Sequence, residues 1–218
     1  MKRVLAFLTV IVMALGLCSC KSSFSSKIGD VKDALEETCH AKKANDDQYD
    51  KMVDTLYKIE EVAEDFKEGV YTEVDAKDRA FFGFHASVDQ GSVKSLFKYL
   101  KADPESAEND SVARMEVLVI QFKNSDNAQA YFEALMNSAK QNYRDYSEGV
   151  GVDIKTDIVE KKEYFAFACE TDLMTFNEYA SIEGSTVMYA SIAGTKSDSL
   201  KAEYYAFMKK MECSIITL

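Results

Sequence analysis

"RMEVLVIQFKNSD", residues 114–126, passes from one periodicity to another within a few residues. Met115 to Phe122 is almost continuously apolar, as a central strand requires. From Asn124 onward the apolar positions move to helical spacing. Ala128, Tyr131, Phe132, Leu135, Met136 and Ala139 share one face, and Asn124 or Ser125 is placed to cap the first turn. A strand thus feeds directly into an amphipathic helix. Downstream, Val152, Ile154, Thr156 and Ile158 alternate with Asp153, Lys155 and Asp157, and a turn around Glu160 to Glu163 leads into "YFAFACE" as a hairpin. "STVMYASIAG" reads as another strand. Leu200, Tyr204, Phe207, Met208 and Met211 stripe a last helix, and Ser214 to Leu218 reads as a terminal strand. Strand, helix, hairpin, strand, helix and short strand predict an α+β fold: an antiparallel sheet with helices packed on one face.

Upstream, two amphipathic segments precede the sheet. Ile28, Val31, Leu35 and Cys39 mark the first, and Tyr49 to Phe66 the second, with Gly69 as a stop. Asp46, Asp47 and Asp50 lack EF-hand spacing and suit the second helix's N-terminal dipole instead. Val70, Thr72 and Val74 then alternate, and "RAFFGFHAS" is a second β-like run. "SVKSLFKYL" reads as a brief helix through Val93, Leu96, Phe97 and Leu100. Ala102 to Ser111, with the only proline at Pro104, reads as an internal loop.

The start of the chain is of another kind. Lys2 and Arg3 precede Val4 to Leu17, which is apolar except for Thr9 and Gly16. A membrane span needs roughly 20 apolar residues, so this run is short for one and fits a secretory signal peptide. Leu17-Cys18-Ser19-Cys20 resembles the lipobox of bacterial prolipoproteins. That resemblance implies a diacylglyceryl group on the Cys20 sulfur, with palmitate expected in the anchor and Cys20 as the mature N-terminus. It covers only residues 1 to about 21. The division expected is a signal peptide over 1–19, a lipidated cysteine and serine-rich tether over 20–27, and one α+β domain over 28–218. Within that domain a helical part spans about 28–68 and a sheet–helix part about 112–218. The implied place is the outer face of the cell membrane, outside the cytoplasm. Seven tether residues reach at most about 25 Å, which keeps the domain close to its bilayer.

The formal net charge of −11 argues against nucleic acid as a partner, since phosphates need a basic surface. Two acyl chains, rather than lysines, would hold the protein to lipid. After lipidation of Cys20 only the thiols of Cys39, Cys169 and Cys213 remain, too few for a disulfide framework. Catalytic signals are sparse. His40 and His85 are the only histidines, no local motif supports a Cys169–His85 pair, and Gly149-Val150-Gly151 lacks the pattern of a phosphate loop. No metal ligand set or cofactor motif is read. Tyr143, Tyr146, Tyr204 and Tyr205 could line a groove, although helical spacing puts Tyr204 in the core and Tyr205 at its edge. The function expected is a non-enzymatic binding or envelope-associated role, toward an envelope protein or a small ligand. The alternative is a lipid-tethered enzyme using a cysteine or a carboxylate pair.

Overall fold

A computed structural model describes residues 28–54, 59–75, 85–86, 89–108, 110–148 and 154–218. The leader, Cys20, "RAFFGFHAS" up to residue 84 and Gly149-Val150-Gly151 lie outside the described residues. Helix α1 (Ile28–Cys39) leads to β1 (Lys42–Lys43), α2 (Asp46–Asp54), a 3-10 segment (Ile59–Phe66) and β2 (Val70–Asp75). Strands β3 (Val93–Glu108) and β4 (Ser111–Phe122) form a long hairpin, followed by α3 (Ser125–Ser147). The meander β5 (Lys155–Glu160), β6 (Tyr164–Glu170), β7 (Met174–Glu183) and β8 (Thr186–Thr195) precedes α4 (Asp198–Lys210).

All eight strands join one sheet in the order β1-β2-β3-β4-β8-β7-β6-β5. Every pairing is antiparallel except that of the short β1 with β2. The α+β class and the antiparallel sheet are therefore present. The placement of helices is a correction. Val117 and Val119 pack with α1 and α4, whereas Leu118, Ile120 and Phe122 pack with α3. Helices cover both faces, which explains why β4 is apolar at odd and even positions alike.

"SVKSLFKYL" is a strand and not a helix. Its Leu96 and Leu100 face the α3 side while Phe97 and Tyr99 face the other, and Phe97 pairs with Val119 of β4. Apolar residues on both faces of a central strand imitate helical spacing, and only the long-range pairing separates the two. The expected loop over Ala102 to Ser111 is mostly a continuation of β3. Pro104 is accommodated because no β4 partner stands opposite between Asp103 and Glu108, where the register slips. The turn that follows contains Asp110 at φ 61°. Ser214 to Leu218 forms no strand.

Capping accounts for the helix starts. Asn124 Oδ1 accepts from the Asn127 backbone at 2.9 Å, and the Ser197 side chain accepts from Leu200. At α2, Asn45 accepts from the Gln48 backbone while Gln48 Oε1 accepts from that of Asn45, a reciprocal capping box. Asp46 and Asp47 follow in the first turn. Lys101 Nζ bonds Glu203 at 2.6 Å, linking β3 to α4. No described helix is long and apolar enough to cross a membrane.

Candidate ligand cavity under helix α3

The face of the sheet beneath α3 carries a charged group where its pattern calls for an apolar one. On β4, Glu116 occupies the side shared by Leu118 and Ile120. Ser191 of β8 stands beside it, and Glu178 of β7 stands beside Ser191. Two carboxyls therefore lie on one face of three adjacent strands, both almost wholly buried.

Their surroundings differ. Glu116 Oε1 is 3.0 Å from the Lys98 ammonium, and Lys98 is only 1% exposed. His85 Nε2 lies 3.1 Å from Glu116 Oε2, and its ring stacks on Tyr189 at 4.3 Å between centroids. Burial alone would raise the Glu116 carboxyl. The Lys98 charge and the His85 contacts outweigh it and hold the group well below the usual carboxylate range. Glu178 accepts one hydrogen bond, from the Tyr189 hydroxyl at 3.1 Å. Its Oε1 has no hydrogen-bond partner among the described residues. Burial pushes it up to about 7, against smaller opposing effects of the Tyr189 bond and His85. One carboxyl is thus held ionised, while burial favours the protonated form of the other.

Helix α3 roofs this cluster incompletely. An inner chamber of about 160 Å³ lies between Leu135, Ser138 and Asn142 of α3 and the side chains of His85, Glu116 and Glu178. An outer chamber of about 370 Å³ is lined by Tyr146, Cys169, Met174, Phe176 and Gly194. Arg114, Asn142, Phe176 and Ala193 line both chambers, which therefore adjoin. Gly194 adopts φ +109°, and a Cβ there would meet the Val112 carbonyl oxygen at 2.1 Å, so only glycine fits this wall. Tyr146 at 41%, Met174 at 47% and Leu173 at 59% exposure are three of the large apolar side chains left in solvent. The first two belong to the outer chamber.

The groups singled out in the sequence distribute unevenly. His85 reaches the inner chamber and Cys169 the outer one, yet His85 spends Nε2 on Glu116 and its ring on Tyr189. Burial raises the Cys169 thiol, the opposite of what a nucleophile needs. Cys39 and Cys213 are also buried, and none of these three thiols is bridged. Tyr146 does line a groove. Tyr204 is core, and Tyr205 sits at its edge accepting from Asn177 Nδ2. His40 ends α1 at φ 55°. No group of histidine, cysteine, aspartate and glutamate among the described residues could hold a metal ion. Glu116, Glu178, Lys98 and Arg114 are the site residues that sequence patterns did not single out.

The chain matches no family model. No curated protein matches it either. Among solved structures, the crystal structure of the extracellular domain of PknH from Mycobacterium tuberculosis is similar over 55% of this chain, at 10% sequence identity and a TM-score of 0.35. The chain spans 65% of that domain, just under two thirds. So low a similarity carries no argument about function.

Proposed function

We propose that this protein is an extracytoplasmic lipoprotein, anchored to the outer face of the cell membrane through lipid on Cys20, whose domain binds a small ligand under α3. The binding part rests on one observation: a two-chamber cavity whose inner wall holds a buried, incompletely bonded carboxyl. Clefts of about 300–1,000 Å³ with a few convergent polar groups are the usual form of small-molecule sites. A buried polar atom left without a partner costs about 1–3 kcal/mol, which a ligand donor would offset. The anchor rests on "LCSC" and the short apolar leader.

Backbone amide spectra recorded with a fragment library test the binding part. Fragment-induced shifts should cluster on Arg114, Asn142, Phe176 and Ala193; shifts that scatter over the surface, or none, contradict it. Palmitate labelling of cells tests the anchor, with label expected on the intact chain and lost in Cys20→Ser.

One observation favours the alternative, a tethered enzyme using a carboxylate pair. Glu116 and Glu178 line the same chamber with their protonation driven apart, the arrangement that divides acid and base roles. Turnover of a bound fragment, abolished in Glu178→Gln while binding persists, would select that reading.

A further inference from the structure

The charges around the cavity are not equally satisfied. Lys98 answers Glu116, whereas no ion pair among the described residues reaches Glu178. Glu178 is 7% exposed and lines the inner chamber, with Oε1 lacking a hydrogen-bond partner among the described residues. Toward the outer chamber, Arg114 stands two residues before Glu116 on the same face of β4 and lines both chambers. Its planar group carries five N–H donors, enough to receive a ligand carboxylate alongside partners within the protein. Phe176 also lines both chambers, and Met174 and Tyr146 continue the apolar wall of the outer one. Among the described residues the carboxyls line the inner chamber, the guanidinium and Phe176 line both, and Met174 and Tyr146 line the outer one.

We infer that the cavity takes a small zwitterion of the α-amino acid type, with its ammonium on Glu178, its carboxylate on Arg114 and an apolar side chain against Phe176 and Met174. This rests on the reading of the cavity as a ligand site and names its ligand class. A simple carboxylate would bring no counter-charge to Glu178, and a simple amine would draw nothing from the Arg114 guanidinium. The zwitterion engages both from one carbon, placed at the junction of the chambers. Asn142, which lines both chambers, offers a donor and an acceptor at that junction.

Calorimetric titration of the mature chain in detergent tests this with two matched sets: leucine, isoamylamine and isocaproate; phenylalanine, phenethylamine and hydrocinnamate. At least one zwitterion should bind about tenfold or more tighter than both its amine and its acid, about 1.4 kcal/mol each. Glu178→Gln should abolish the advantage over the acid, and Arg114→Gln the advantage over the amine, with each variant's thermal unfolding confirming its fold. Equal binding within a set, or preferences unmoved by either substitution, would overturn the inference. If all six compounds fail while library fragments still occupy the cavity, the ligand class is wrong and the binding site stands. If the fragments fail as well, the proposed function falls with it.

Discussion

Glu116 and Glu178 show how two identical side chains on neighbouring strands acquire opposite properties. Glu116 exists as an ion because Lys98 is buried beside it, and each needs the other. Removing one partner of a buried pair typically costs about 3–5 kcal/mol. Glu116→Gln should therefore destabilise the domain by about that much in denaturant unfolding, and a Lys98→Met, Glu116→Leu double substitution should recover most of it. Glu178 is stranded instead. Its folded pKa lies above the ordinary value, at about 7, so the folded state holds a proton that the unfolded state releases. Its contribution is present at low pH and is lost as pH rises from about 4.5 through 7, about 3 kcal/mol in full. Glu116, shifted the other way, stabilises above the ordinary carboxylate range and loses that contribution as acid is added. Stability should therefore decline from pH 4.5 to 7, and Glu178→Gln should flatten the decline. A slope that persists in the variant would show that another group carries it.

Single elements explain what sequence patterns revealed and what they concealed. β4, β6, β8, α3 and α4 were legible because burial gave them unbroken apolar runs or stripes with caps. The Asn124 cap is both readable and observed, and Asn124→Ala should cost about 1 kcal/mol in thermal unfolding. β3 was hidden because Val93, Leu96, Phe97 and Leu100, apolar on both faces of the strand and broken by Lys98, fall at helical spacing. β7 was hidden for a related reason, since Asn177 and Glu178 interrupt its middle. The residues that spoil these two strand patterns include two members of the buried charged cluster. Glu116 carries the same signal within "RMEVLVIQF", a lone acid in a run too apolar to be solvated. Single charges inside otherwise buried strands were the available clue to the cavity. Their convergence depended on pairings between β4, β7 and β8, which no local pattern contains.

At the scale of the whole molecule, the start of α1 and the cavity lie on opposite faces of the sheet. α4 leaves the sheet beside Leu173, whose carbonyl accepts from the Lys196 backbone, and returns along the opposite face for about 20 Å. Its end at Lys210 to Glu212 borders a cleft with Asp33 and Glu37 of α1, near where residue 28 receives the tether. The outer chamber therefore opens on the other face and toward the other end. A fluorophore on Asp33→Cys should be quenched by quencher-bearing lipid more strongly than one on Leu173→Cys, the three native thiols being buried. The most direct measurement of the central claim is fragment titration of the wild type and Ala193→Phe side by side, followed by backbone amide spectra. The substitution fills the junction of the two chambers. The account predicts wild-type shifts on Arg114, Asn142 and Phe176 that vanish in Ala193→Phe, whereas shifts that survive the substitution, or that lie elsewhere in the wild type, would contradict it.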